Sequence, residues 1–280
     1  MAAPDVYRTI GDLRAALKPA RMAGERIAMV PTMGALHDGH LSLVERARDE
    51  ADRVVVSIFV NPTQFAPHED FDAYPRNEDR DLEQLKALSV EAAFIPSVRE
   101  MYPHGFATGV TVGGPSEGLE SAFRPHFFDG VALVVTKLLL AAMPDVAIFG
   151  EKDYQQLCVV RRMVRDLNVP TEIIGAPTVR ESDGLAMSSR NVYLSPDERK
   201  TATSLPATLR EVIERLERGD DAHDVLSQAR RTLEDVGFKV DYLELRDGET
   251  LGPVTEDTQS RRILVAVWLG RTRLIDNMAV

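Results

Sequence analysis

Two histidines three residues apart, His37 and His40, stand in the stretch AMVPTMGALHDGHLSLVERA, residues 28–47. The apolar run before them reads as a strand, and the run after them as an amphipathic helix beginning near His40. Imidazole N–H groups at such a junction can donate to phosphate oxygens, next to the unpaired N–H groups and positive end of the helix. Gly39 lets a ligand approach the backbone closely. Two alternatives share this spacing: a histidine pair that caps the helix, and part of a metal site. Zinc takes three or four protein ligands, and no Cys/His cluster in the sequence completes such a set, which favours phosphate over metal.

Three further segments carry polar side chains suited to an anionic, hydroxylated ligand. In FGEKDYQQL (149–157), Lys152 can neutralise a phosphate as a point charge. Asp153 either accepts from ribose hydroxyls or caps the next helix, and Gln155 and Gln156 offer amides. In ESDGLAMSSRN (181–191), Ser188, Ser189 and Arg190 form a compact anion-binding set whose guanidinium can grip phosphate bidentately. Gly184 offers that segment a hinge. In SIFVNPTQF (57–65), Asn61 and Gln64 suit a hydroxylated substrate, with turn chemistry around Pro62 as the alternative for Asn61. The chain has no G-x-x-x-x-G-K-[ST] and no G-x-G-x-x-G, which excludes a P-loop and a dinucleotide fingerprint. GGPSEG (113–118) reads as turns. His68, His104, His126 and His223 have no visible partners, and Cys158 sits in an apolar helical face as a small hydrophobe.

Composition narrows the partners. The chain has 280 residues, 44% of them hydrophobic, and a net charge of -11, with an isoelectric point near 5.1. That length suits one large or two modest domains. An acidic chain repels polyphosphate backbones, so no nucleic-acid partner is expected, and a small anionic substrate must meet a local positive pocket. A single cysteine excludes an internal disulfide and fits a reducing compartment. The N-terminal stretch has no apolar core of signal-peptide length. The longest apolar run, 130–144, contains Lys137 and is too short to span a bilayer. The expectation is a cytoplasmic protein with no membrane partner.

The segments that could do chemistry need a frame that gathers strand ends. Periodicity predicts a helix from Thr9 as N-cap to a stop at Pro19. Strands follow at 26–31 and 53–60, with a helix at 40–51 between them, then a helix at 76–90 and a strand at 91–96. A buried helix at 130–143, a strand at 145–150, a helix at 153–167 and a strand at 171–175 complete the run. Five strands alternating with helices over residues 1–177 predict an α/β, doubly wound, Rossmann-like parallel sheet, in which ligands collect at the carboxyl ends of strands. From 178 to 280 the pattern predicts a smaller α+β domain carrying the MSSR loop at its start. Its helices are read at 197–218 and 222–236, followed by the alternating VDYLELRD and a hairpin of RRILVAVWLG and TRLIDNMAV.

H-x-G-H at the first βα junction, with a later basic Ser-rich loop, resembles the superfamily of class I aminoacyl-tRNA synthetases and nucleotidylyltransferases. Within it, VPTMGALHDGH, SIFVNPTQF, FGEKDYQQL and DGLAMSSRN in this order, with VDYLELRD and TRLIDNMAV near the end, resemble the pantoate–β-alanine ligases over essentially the whole chain. The resemblance implies ATP-dependent condensation of pantoate with β-alanine to pantothenate through pantoyl adenylate, releasing AMP and pyrophosphate. It implies Mg2+ bound mainly through the triphosphate, and a homodimer. By position, it implies ATP contacts from Met33, Gly34, Ala35, Leu36, His37, Asp38, Gly39 and His40. Gly150, Glu151, Lys152 and Asp153 would add to these, as would Val179 through its backbone, and Met187, Ser188, Ser189 and Arg190. The implied catalytic set is His37, His40, Lys152, Ser188, Ser189 and Arg190, with His40 as proton donor. Gln64, Gln156 and Asn61 are the expected substrate contacts. One departure is FRPHFFDGV, where the family usually has Arg-Pro-x-His-Phe: Phe127 takes the histidine's place, and His126 sits one residue early. The alternative is a nucleotidylyltransferase acting on another small acceptor, whose junction usually carries a Phe-Asp pair that PTMGAL lacks. A tRNA synthetase is disfavoured by net charge and by the absence of an anticodon-binding appendage. A nucleotide-binding sensor is disfavoured because it has no need of all four motifs.

Overall fold

The computed structural model describes residues 3–65, 71–72 and 74–280; His68 lies outside them. The first elements are β1 (Asp5–Tyr7), α1 (Ile10–Met22), β2 (Ile27–Thr32), α2 (Asp38–Glu50), β3 (Arg53–Ile58), α3 (Glu78–Ala87) and β4 (Ala92–Phe94). Next come α4 (Val98–Met101), α5 (Glu120–Phe123), α6 (Phe127–Ala142), β5 (Val146–Gly150), α7 (Tyr154–Asp166) and β6 (Glu172–Ala176). The chain ends with α8 (Pro196–Ala202), α9 (Ser204–Glu217), α10 (Ala222–Asp235), β7 (Lys239–Asp247), β8 (Arg261–Leu269) and β9 (Thr272–Ala279).

The larger sheet has the order β1-β4-β3-β2-β5-β6, and all its pairings are parallel. From β2 the chain winds outward through β3 and β4, then returns to β5 on the other side of β2. The carboxyl ends of β2 and β5 therefore flank a switch-point crevice, the usual ligand position in such sheets. Alternate residues of each strand serve two cores. Ile27, Met29, Val55 and Phe149 pack with α1, α6 and α7, while Ala28, Val30, Val56 and Ile148 pack with α2 and α3. Burial on both faces is why these strands read as unbroken apolar runs.

The smaller sheet, β7-β8-β9, is antiparallel and packs one face on α9 and α10. Its other face meets the larger sheet's side through Leu119, Cys158, Tyr242, Leu264 and Ala266. Burial pushes the Cys158 thiol up to about 11, so it behaves as a packing group.

Several details depart from the pattern read in the sequence. β1 is an additional strand, three residues long at the sheet edge, too short to carry a period. α1 continues past Pro19 to Met22, because Arg21 donates to the Ala142 carbonyl at the end of α6 and anchors the last turn. α6 starts at Phe127, three residues earlier than read, immediately after His126 turns left-handed. The helix read over 197–218 divides at Thr203, where Pro206 has no N–H to return to Ala202.

Candidate active site

The loop after β2 is built on a buried carboxylate. Gly34 has φ +77 and Ala35 φ +50, two successive left-handed residues. A Cβ at Gly34 would also lie 2.9 Å from both Asp81 Oδ2 and Ile58 Cγ2. Asp81, on α3 and 2% exposed, accepts from the N–H groups of Ala35 at 2.9 Å and Leu36 at 2.8 Å. Burial raises its pKa, and the two backbone donors oppose the rise. The signal for Asp81 was available in the sequence: an acid four residues before the buried Leu85, on the apolar stripe of an otherwise amphipathic helix.

This clamp delivers His37 as the N-cap of α2. The helix begins at Asp38, two residues earlier than read, and His37 Nδ1 accepts from the Gly39 N–H at 3.2 Å. The capping alternative is therefore realised for His37, and it fixes the neutral tautomer, leaving hydrogen on Nε2. The His40 ring stands 4.1 Å away, centroid to centroid, and its buried Nδ1 has no protein partner. Desolvation first, then His37 and Lys152, pushes His40 down to about 3. Desolvation and Lys152 also lower His37. Both rings are neutral near pH 7 and can offer N–H hydrogen bonds. Among the described residues there is no group of three His, Cys, Asp or Glu side chains able to hold a metal ion.

Beyond β5, residues Glu151–Asp153 form one 3-10 turn. Asn277 of β9 donates to the carbonyls of Glu151 at 2.9 Å and Lys152 at 2.8 Å, so the smaller sheet sets this turn. Lys152 Nζ stays 3.7 Å from Asp153 Oδ1. Gln155 is buried and used by the chain: it donates to Pro115 O at 3.0 Å and accepts from Glu120 N at 3.0 Å. Its staple gives the GGPSEG segment its shape.

The loop carrying Ser188, Ser189 and Arg190 is fastened on several sides. Met187 N donates to Val179 O at 3.0 Å and Glu181 N to Leu185 O at 2.8 Å. Arg180 pairs with Asp276 of β9 at 2.7 and 2.8 Å and donates to Gly184 O at 3.0 Å. Arg199 of α8 pairs with Glu181 at 2.6 Å and Asp183 at 2.7 Å. Gly184, with φ +91, therefore occupies a tight turn whose neighbours are tied to the smaller sheet and to α8. Ser188 Oγ accepts from Arg190 N at 3.2 Å.

These pieces surround one cavity of about 1380 Å³, whose wall includes Met33, His37, Gly39, His40, Gln64, Gly150, Lys152, Asp153, Gln156, Val179, Met187, Ser188, Ser189 and Arg190. Six expected contacts lie outside that wall. Ala35 and Leu36 spend their N–H groups on Asp81, and Gly34 donates to Thr32 Oγ1. Asp38 is exposed in the first turn of α2. Glu151 turns away to pair with Arg262 of β8 at 3.0 Å. Asn61 is 1% exposed, with its side-chain amide engaged by Thr63, Gln64, Tyr102 and Gly130. It holds Gln64 instead of reaching the cavity.

Two parts of the wall had no local signal. The first is an apolar stripe on α6, with Phe128, Val131, Val134, Val135 and Leu138, which sequence shows only as a buried helix. The second is a cross-sheet network. Glu120 takes Arg273 Nη1 at 2.8 Å on both oxygens and the Tyr242 hydroxyl at 2.8 Å, while Asp241 takes Arg273 Nε at 2.8 Å. The departure at Phe127 is also explained: the Arg124 guanidinium lies 3.8 Å from the Phe127 ring centroid and donates to Gln64 O at 3.2 Å. His126 is an exposed residue, 3.5 Å from Asp129.

A histidine pair at the mouth of a switch-point crevice, facing a lysine from the neighbouring strand, defines a nucleotide-site α/β enzyme of the H-x-G-H class. Within that class the chain belongs to the pantoate–β-alanine ligase family, whose model, described as Pantoate-beta-alanine ligase, matches residues 5–279. A pantothenate synthetase from Mesorhizobium japonicum is 56% identical over 100% of this chain and 99% of its own length. One from Caulobacter vibrioides is 54% identical over the full length of both. The crystal structure of pantothenate synthetase from Thermus thermophilus superposes with a TM-score of 0.92 at 50% identity, covering 98% of each chain. That of a Francisella tularensis pantoate-beta-alanine ligase, complexed with beta-gamma ATP and beta-alanine, gives 0.82 at 33% identity over 99% of this chain and 98% of the other.

Proposed function

We infer that this chain is an AMP-forming ligase that condenses pantoate with β-alanine at the expense of ATP. The pantoate carboxylate attacks the α-phosphorus, the bond to the β-phosphate breaks, and pyrophosphate leaves. The β-alanine amine then attacks the acyl carbon of pantoyl adenylate, and AMP departs with the electron pair of the C–O bond.

One observation carries the assignment of roles: a single cavity joins the donors His37, His40, Lys152, Ser188, Ser189 and Arg190 to the amides of Gln64 and Gln156 beside the α6 apolar stripe. In this reading the first group receives the triphosphate. Lys152 and Arg190 stabilise charge as it moves onto pyrophosphate, and the neutral histidines donate N–H bonds. Gln64 and Gln156 hold the pantoate oxygens while the apolar stripe takes its carbon skeleton. Fixing carboxylate and phosphorus in line supplies much of the rate, since no covalent nucleophile is required. Three of the wall's carboxylates are held by guanidinium groups, Glu120 and Asp241 by Arg273 and Asp276 by Arg180, which suits Mg2+ that arrives chelated by the triphosphate; when bound, the ion would neutralise phosphate charge.

We also propose that the chain divides into functional units at 177/178, acts as a homodimer and works in the cytoplasm. Separate cores behind the two sheets support the division, and no helix among the described residues is long and apolar enough to cross a membrane. The test is ATP–pyrophosphate exchange without β-alanine. Exchange that depends on pantoate supports the ligase; exchange that is absent or indifferent to pantoate refutes it.

A further inference from the structure

The amide of Gln64 has its polarity fixed from behind, and the fixing begins at two backbone groups. The Gly130 carbonyl can only accept, so the atom of Asn61 that lies 3.1 Å from it is Nδ2. The Thr63 N–H can only donate, so the atom 3.3 Å from it is Oδ1. The second hydrogen of Nδ2 points to Gln64 at 3.1 Å and demands the acceptor Oε1 there. Gln64 Nε2 is thereby turned to the other side, where its partner is the thioether of Met33 at 3.1 Å, a weak acceptor. Tyr102 closes the arrangement. Its hydroxyl lies 2.8 Å from Asn61 Oδ1 and must donate to it, while its ring packs at 6.3 Å from Phe59 and 5.3 Å from Phe106. Tyr102 does not line the cavity.

We propose that Tyr102 is a positioning residue that acts through Asn61 to present Gln64 to the substrate as a hydrogen-bond donor, so that the site selects a ligand oxygen bearing a lone pair at that point. This rests on the ligase reading, in which that oxygen belongs to pantoate and displaces the Met33 sulfur. A carboxylate oxygen fits; a group that can donate at that point does not require this amide polarity. Without the Tyr102 hydroxyl, Asn61 retains its backbone bonds but is held less firmly, and the amide of Gln64 is less well ordered.

The experiment is pantoate-dependent ATP–pyrophosphate exchange on the full chain and three variants. Tyr102→Phe keeps the ring and its packing. Its KM for pantoate should rise about 3- to 10-fold, as for one lost neutral hydrogen bond, with the KM for ATP unchanged and only a small fall in the denaturation midpoint. Gln64→Glu and Gln64→Met differ little in shape and neither can donate, but the first adds a full negative charge. A donor role makes Gln64→Glu the worse of the two for pantoate, because a carboxylate repels the substrate oxygen. A pantoate KM unchanged in Tyr102→Phe, or a Gln64→Glu variant that binds pantoate better than Gln64→Met, overturns the proposal while leaving the ligase reading intact. Exchange by the unmodified chain that ignores pantoate overturns both.

Discussion

Replacing Gly130 with alanine perturbs the site through backbone contact alone. Gly130 lies inside α6 with an ordinary helical φ, so alanine brings no conformational strain and gains about 1 kcal/mol of helix propensity. The new Cβ, however, would stand 2.3 Å from Thr63 O, 2.6 Å from Thr63 C and 2.9 Å from Gln64 N. No flexible side chain can absorb this, and contact distances near 3.5 Å require the turn Pro62–Gln64 to retreat from α6 by about 1 Å. That retreat stretches the Asn61–Gly130 bond, now 3.1 Å, and moves Gln64 with it. Overpacking of this kind costs about 1 to 3 kcal/mol, partly offset by the propensity gain. Misplacing a positioning group by about 1 Å costs on the order of 10²-fold in rate. The assay is kcat/KM for pantoate in the exchange reaction, read beside the KM for ATP and a urea denaturation curve. The expectation is a large loss for pantoate, a small one for ATP, and a modest fall in stability. A Gly130→Ala protein whose pantoate kinetics match the parent would refute the claim that the α6 contact sets Gln64.

Three further outcomes follow from the geometry. Lys152→Ala should slow adenylation by on the order of 10² to 10³, as for one lost transition-state donor, measured by single-turnover quench; a folded variant at the parental rate removes Lys152 from the mechanism. Asp81→Asn cannot accept both loop N–H groups and should lose about 1 to 3 kcal/mol of stability while raising the KM for ATP, checked by denaturation and titration; an unchanged KM separates Asp81 from the nucleotide site. His40 is depressed to about 3 in the folded chain, so the unfolded chain takes up that proton first and stability falls as pH drops below 6.5. Its share of the slope approaches about 1.4 kcal/mol per pH unit, so His40→Asn should flatten the pH dependence of the denaturation midpoint, and parallel curves would contradict the buried neutral ring.

What the sequence revealed follows the range of the forces involved. β2, β3 and β5 were legible because both faces are buried and their central positions, 27–30, 54–56 and 146–149, are apolar. The edge strand β1 was not, because three residues carry no period. The convergence of His37, His40, Lys152 and Gln64 on one cavity wall was legible because the topology gathers residues at the carboxyl ends of adjacent strands. The internal partners of Asn61, Glu151 and the Gly184 turn were not legible because they are distant in sequence: Gly130 lies 69 residues from Asn61, Arg262 lies 111 from Glu151, and Asp276 lies 96 from the Arg180 that holds the Gly184 turn. A polar residue beside a strand end presents the same local pattern whether it faces a ligand or fastens the loop. Only the tertiary partner decides between the two.

The central claim is that the pantoate carboxylate attacks the α-phosphorus in this cavity. Pantoate labelled with 18O in its carboxylate tests it directly, with mass spectrometry of all products after one complete reaction with ATP and β-alanine. The account predicts one labelled oxygen in AMP, one in pantothenate and none in pyrophosphate. Label released into water with none in AMP, or label found in inorganic phosphate or pyrophosphate, would contradict it.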